Sequence, residues 1–167
     1  MTHPKSDVVI LGGGAAGIFA ALCAKESNPS LTVTLLEKSA VFLSKVRVSG
    51  GGRCNVTHAC FEPEKLIQHY PRGGKELLGP FHRFQPKDTI AWFEKRKVAL
   101  KTESDGRMFP TTDSSQTIID ALLNEARALG VDLQIRQHII SIFHVEGYFN
   151  IQFRDGTTRL AKALILA

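Results

Sequence analysis

No stretch of the 167-residue chain approaches the run of about 20 apolar residues that a membrane span requires. The opening Met1-Thr2-His3-Pro4-Lys5-Ser6-Asp7 leads into a short strand pattern and not into the apolar core of a signal peptide. A cytoplasmic protein without membrane contact is the expectation. Cysteine is scarce: Cys23, Cys54 and Cys60 are the 3 present, at spacings that fit neither a disulfide framework nor paired zinc knuckles. Free thiols are expected. The 6 histidines show no metal-ligand spacing either, so no metal site is expected. Disorder is excluded by a composition that is 43% apolar and 22% charged, which supports a packed core and one domain.

Charge is unevenly spread. Residues 44–101 hold 12 Lys/Arg against 5 Asp/Glu, a net +7 in a chain whose total is +5. A basic segment attracts phosphates, of a cofactor or of a nucleic acid, although a solvated basic face is the plainer reading.

Asp7-Val8-Val9-Ile10-Leu11 is a β-branched run bounded by glycine, the pattern of a strand buried on both faces in a parallel sheet. After Gly12-Gly13-Gly14, the apolar residues Ala16, Phe19, Ala20, Cys23 and Ala24 recur at helical spacing until Asn28-Pro29 closes the helix. Cys23 falls on that inner face. Leu31–Leu36 is the next strand, so strand, helix and strand fit into the 31 residues from Asp7 to Glu37, the size of a minimal right-handed crossover unit.

From Pro63 to Lys97 two or three short helices are expected, one starting at Pro86 with Asp88 in its first turn and Lys95-Arg96-Lys97 in its last. Val98–Thr102 and Arg107–Phe109 read as short strands flanking a turn at Asp105-Gly106. A helix over Ser114–Leu129 is capped by Asp113 with Gln116 three residues on, and ends at Gly130. Beyond it, Asp132–Ile135, Ile139–Val145, Tyr148–Phe153 and Thr157–Leu160 form a small antiparallel meander, with Asp155-Gly156 as a hairpin turn. Ala163-Leu164-Ile165-Leu166-Ala167 is a separate buried strand; a chain stopping there is expected to be a piece of a longer domain.

Gly12, Gly14 and Gly17 form G-x-G-x-x-G between strand and helix, and Glu37 lies 20 residues past Gly17 at the end of the next strand. This is the dinucleotide fingerprint. The first glycine permits a tight turn, the second lets backbone approach a pyrophosphate, and the third lets helix and strand pack closely; Glu37 accepts from a ribose hydroxyl. The alternative is a glycine-rich turn in an unrelated α/β protein. The fingerprint does not separate NAD from FAD. A second cluster, Ser49-Gly50-Gly51-Gly52-Arg53-Cys54-Asn55, follows the second strand where a simple NAD domain begins another helix. Its consecutive N–H groups, with Arg53 and Asn55, suit a phosphate or an electron-rich ring edge, against the alternative of a surface loop with no ligand.

Three blocks resemble the bacterial NAD(P)/FAD-dependent oxidoreductase family of aminoacetone-oxidase-like and 3-dehydro-bile-acid-reductase-like flavoproteins. They are Val9–Gly17 with Leu36-Glu37-Lys38, then Lys45 through Ser49–Thr57, and Asp105-Gly106-Arg107-Met108-Phe109-Pro110. The resemblance implies an α/β, Rossmann-like FAD-binding domain of the glutathione-reductase type: a parallel sheet with a small antiparallel meander, truncated at its C-terminus. Residues 44–110 would be a basic insertion and 132–162 the meander. It further implies FAD along Gly12, Gly14, Ala15, Ala16, Gly17, Glu37 and Lys38, and beside Lys45, Ser49, Gly50, Gly51, Gly52, Arg53, Cys54 and Asn55. Many members carry Gly-Arg before the lysine of the second block, where this chain has Leu43-Ser44. Members are also much longer, continuing through a Thr-Gly turn, an inserted substrate domain and a final FAD-binding segment.

Several residues keep two readings. Cys54 beside Arg53 is either a redox thiolate or, more simply, a packing thiol. Arg107 either approaches flavin or substrate, or pairs with a carboxylate in its turn. His58 either nears the site or is a solvated loop residue. Phe81, Phe84, Trp92 and Phe93 read as core anchors before a base-stacking platform.

The favoured function is an FAD-dependent reductase, passing hydride from NADH or NADPH through flavin to a conjugated C=C bond of a small molecule. Two alternatives stand: flavin-dependent reduction of uridine in ribosomal RNA, for which the basic segment would meet phosphates, and a non-catalytic nucleotide-binding fragment. No residue presents itself as a proton donor. Exposed sheet edges would suit a dimer.

Overall fold

β1 (Lys5–Leu11), α1 (Ala15–Ser27) and β2 (Val33–Leu36) follow one another as the hydrophobic pattern dictates. The computed structural model describes residues 5–167, so Met1–Pro4 of the opening lie outside the described residues. The chain divides into two units, Met1–Val46 with Leu122–Ala167, and Arg47–Ala121.

The first unit is built on a six-stranded sheet of order β6-β2-β1-β9-β8-β7, with β6 Asp132–Gln134, β7 Ile139–Val145, β8 Tyr148–Phe153 and β9 Thr158–Leu166. β6, β2, β1 and β9 run parallel, and β8 and β7 continue the sheet antiparallel. All four residues of β2 are buried, as a strand flanked on both edges and covered on both faces must be. Val9, Leu36, Ile151, Phe153 and Ala161 form a core cluster that draws on both the parallel and the antiparallel parts. Burying one such aliphatic or aromatic side chain contributes about 1.5–3 kcal/mol.

Two expectations are corrected here. The antiparallel meander is present over β7, β8 and the start of β9, but Asp132–Gln134 does not belong to it, because it pairs parallel with β2, and the last strand is one nine-residue β9 in place of the separate runs Thr157–Leu160 and Ala163–Ala167. It pairs with β8 over Thr158–Ala161 and with β1 over Leu160–Leu166. Lys162, between those runs, donates from Nζ to Asp7 Oδ1 at 2.8 Å, so its charge is satisfied without ending the strand. Cys23 is exposed, because α1 buries Gly17, Ile18, Ala21, Leu22 and Lys25 instead. This helix is apolar nearly all round, so periodicity does not select a face; contact of Gly17 with the glycine turn does. Lys25 reaches that face by donating from Nζ to the carbonyls of Pro29 at 2.7 Å and Leu31 at 3.0 Å.

The second unit contains the sheet β3-β5-β4, with β3 Thr57–His58, β4 Leu100–Thr102 and β5 Arg107–Pro110, all antiparallel. Around it lie the short helices α3 (Pro63–Leu66), α4 (Gly74–Phe81) and α5 (Pro86–Lys95). Pro86 opens α5, and Asp88 Oδ2 accepts from the Gln85 N–H at 2.8 Å, closing its start as the sequence indicates.

α2 (Ser44–Val48) and α6 (Ser115–Ala128) each contain a point of division between the units. α2 is a correction, since a backbone-rich loop was expected directly after the second strand. The start of α6 is another: Ser114 Oγ accepts from the Gln116 N–H at 3.3 Å, whereas Asp113 is left-handed (φ 53°) and pairs with Lys101. Gly130, with φ 73°, follows the helix in the left-handed conformation expected of it.

Candidate functional site

The first glycine turn is held by packing that admits no side chains. A Cβ on Gly12, whose φ is 114°, would stand 2.2 Å from the Ala167 carbonyl oxygen; one on Gly17 would stand 1.9 Å from the Gly12 carbonyl oxygen. Gly14 differs. It caps α1 with extended backbone, and a Cβ there would meet nothing within 4 Å. No side chain caps this helix start and no acid lies in its first turn, so its leading N–H groups, with exposed Ala15 and Ala16, form an open positive end.

Glu37 closes the other side. Its Oε2 accepts from the Gly13 N–H at 2.7 Å and its Oε1 from the Ser39 N–H at 2.6 Å. Burial raises this carboxyl, but the hydrogen bonds from the Ser39 and Gly13 amides outweigh it and hold the group below its ordinary value. Glu37 is therefore ionised at neutral pH, with lone pairs to spare for a hydroxyl donor. Its backbone is fixed too: the Glu37 N–H donates to Gln134 O at 2.8 Å, and Gln137 N–H donates to Glu37 O at 2.9 Å. Lys38 and Lys45 are exposed.

Two supports escaped sequence reasoning. Leu43, buried and left-handed (φ 58°), donates its N–H to the Gly13 carbonyl at 2.8 Å, and Phe42 fills the space where a Gly13 Cβ would go. The apolar pair directly after Ser39-Ala40-Val41 was the signal available.

In the second unit, Ser49–Gly52 forms a 3₁₀ turn interrupted at Gly50 (φ 55°) and Gly51 (φ 67°), both left-handed. A Gly50 Cβ would press on the Phe109 ring at 2.8 Å, whereas Gly51 and Gly52 face open space and Asn55 is exposed. Arg53 is engaged within the protein: Nη1 lies 2.5 Å from Glu103 Oε1 and 3.7 Å from Asp113 Oδ1, with the guanidinium 4.0 Å from the Phe109 centroid. Its glutamate partner lies 50 residues on, which no local pattern reveals.

Cys54 is buried; desolvation pushes its thiol up, only partly offset by a hydrogen bond with Ser49. The packing-thiol reading holds and the thiolate reading does not. Arg107 pairs through Nε with Asp105 Oδ2 at 2.7 Å, the carboxylate alternative. His58 is no solvated loop residue, since its ring lies 4.5 Å from that of His69 and a Cβ on Gly106 would come within 2.6 Å of it. Phe93 is buried, but Phe84 is 42% exposed and is not a core anchor. No group of three or more metal-ligating side chains exists among the described residues, and no helix there is long and apolar enough to cross a membrane.

Both turns fit a flavin dinucleotide on their own geometry. The open Gly14 position and bare helix end suit a pyrophosphate, Glu37 suits a ribose hydroxyl, and the open backbone of Gly51-Gly52 suits a polar ring edge.

Comparisons with known proteins bear on the family and the fold. The model of the HI0933-like protein Rossmann domain family matches residues 6–167. A ribosomal RNA dihydrouridine synthase of Escherichia coli is 30% identical over 161 residues, covering 96% of this chain and 39% of that protein. A 3-dehydro-bile acid delta(4,6)-reductase of Clostridium scindens is 28% identical over 118 residues, covering 71% of this chain and 28% of that protein. The chain thus spans less than half the length of these curated relatives. Among solved structures, the 3-ketosteroid-delta4-(5alpha)-dehydrogenase of Rhodococcus jostii superposes with TM-score 0.71 at 14% identity, over 98% of this chain and 45% of that one. E. coli quinol fumarate reductase gives TM-score 0.70 at 14% identity, over 100% and 33%. At such identity the likeness shows the fold alone.

Proposed function

The chain belongs to the HI0933-like protein Rossmann domain family, a family of FAD-binding oxidoreductases, and from that premise we propose that it is the FAD-holding part of a reductase acting on a conjugated C=C bond with NADH or NADPH as donor. The observation that carries the reading is the uncapped end of α1, open at Gly14 and closed off by the ionised Glu37.

Gly12 and Gly17 hold the turn, while Gly14, Ala15 and Ala16 present N–H groups to the pyrophosphate. Glu37 takes a ribose hydroxyl and, being anionic, disfavours a 2′-phosphate. Lys38 and Lys45 add positive charge near these two segments. Ser49, Gly50, Gly51, Gly52 and Asn55 line the flavin side with backbone; Arg53 and Cys54 hold that turn in shape through Glu103, Phe109 and burial. When bound, the flavin supplies two-electron hydride chemistry that no side chain of this chain offers.

In the FAD-loaded protein, oxidation of NADH or NADPH should be coupled one to one with loss of a ring-enone C=C bond. Donor oxidation without loss of the double bond would refute the substrate class.

A second reading is favoured by the basic segment 44–101 and by the name of the E. coli relative: the C=C bond of uridine in ribosomal RNA. It requires RNA binding that persists at physiological salt and falls when Lys95, Arg96 and Lys97 are neutralised together. A mobility shift unaffected by that change would refute it.

A further inference from the structure

A cavity of about 400 Å³ lies wholly within the second unit. Asn55, Thr57 and His58 line it together with the rings of Tyr70, Phe81 and Phe84. No Asp, Glu, Lys or Arg lines it, although it sits in the segment that carries a net +7. Such a lining, to which Gln85 and Thr89 add further polar groups, selects against phosphates and carboxylates and for an uncharged, flat molecule with polar edges. Its volume is that of a small-molecule site.

His58 Nδ1 is buried and has no hydrogen-bond partner among the described residues. Buried polar atoms without partners are exceptions in folded proteins, and they mark places that a ligand or water completes. The ring is held against His69, with the centroids 4.5 Å apart, and against the Cα of Gly106. Nδ1 can donate to a ligand oxygen without giving up an existing hydrogen bond. Asn55 is both the last residue of the second glycine turn and part of the cavity wall, so the cavity begins where the segment assigned to the flavin ends.

We propose that this cavity binds the substrate, a flat, uncharged ring carrying a carbonyl conjugated to a C=C bond, with the His58 imidazole donating a hydrogen bond to the carbonyl oxygen. The inference rests on the reductase reading, and names where its substrate sits and what orients it. Ring enones and the uracil base share this O=C–C=C unit, so both sources present the same chemistry to His58.

The test titrates the FAD-loaded, histidine-labelled protein with cyclohex-2-enone and, separately, with uridine, following the imidazole resonances. The His58 signal, assigned by its loss in His58→Phe, should shift saturably with at least one probe. His58→Phe keeps the flat ring against His69 and Gly106 but removes both nitrogens, and should weaken that probe about tenfold. Phe84→Trp, at an exposed position on the cavity wall, should also weaken it by crowding the space. Response to the enone alone assigns a small-molecule source, and response to uridine alone a nucleobase. Absence of a His58 shift with both probes, or unchanged affinity in both variants, overturns the proposal. A shift without any C=C reduction refutes the reductase reading while leaving the cavity assignment; turnover with unchanged KM in both variants does the reverse.

Discussion

Gly14→Asp should move fold stability and cofactor binding in opposite directions. The residue has extended backbone (φ −80°, ψ −174°), and a Cβ there meets nothing within 4 Å, so aspartate enters without strain. Its carboxylate would accept from the bare N–H groups of the first turn and oppose the helix dipole, together about 1 kcal/mol of added stability in the cofactor-free protein. For a protein of this size that is a rise of about 2–4 °C in Tm. The same carboxylate would occupy the place assigned to the pyrophosphate. Charges about 4 Å apart at a protein surface repel by about 4 kcal/mol, which more than covers a hundredfold loss of FAD affinity. Thermal unfolding of the cofactor-free protein and FAD fluorescence titration measure the two effects. A variant that loses stability, or one that keeps wild-type FAD affinity, would refute the assignment of this helix end to an anion.

Gly17→Ala should act oppositely on the fold: its Cβ would lie 1.9 Å from the Gly12 carbonyl oxygen, and overpacking against backbone should cost about 1–3 kcal/mol, read as a lower denaturant midpoint. Thiol labelling should modify exposed Cys23 in the folded protein, slowly because partial burial and then Glu26 push its thiol up, while buried Cys54 reacts only after denaturation, which mass mapping of labelled peptides checks. Asp7 is held well below the ordinary aspartate value, first by the Lys162 side chain and then by the Thr32 amide and hydroxyl. Because its folded pKa is depressed, its contribution to stability is present above about pH 4 and is lost as pH falls below it. Asp7→Asn should therefore flatten the acid side of the stability profile, and an unchanged profile would contradict the pairing.

The strand–glycine–helix–strand unit was legible because its signals agree: a β-branched run, three glycines at fixed spacing, and an acid at the end of the next strand. Which face of α1 is buried was not, since Ala, Ile, Phe, Leu and Cys surround that helix and only the contact of Gly17 with Gly12 selects Ile18, Ala21 and Leu22. That Thr157–Leu160 and Ala163–Ala167 belong to one strand was not legible either, since the partner of the intervening Lys162, Asp7, lies 155 residues away in another strand. At the second turn the glycines announced a backbone loop, but the ties of Arg53 to Glu103 and Phe109 depend on tertiary placement. The stacking of His58 on His69 is likewise a product of folding, because no spacing rule joins residues of β3 to the end of the next helical segment.

The central claim, that the first glycine turn with Glu37 holds FAD, is tested most directly by the visible spectrum of the purified protein after FAD addition and gel filtration. Wild-type protein should retain flavin absorbance, and Gly14→Val and Glu37→Ala should each lose most of it while keeping the wild-type far-ultraviolet circular dichroism. Wild-type protein that emerges colourless at every FAD concentration, or variants that stay as yellow as wild type, would contradict the account.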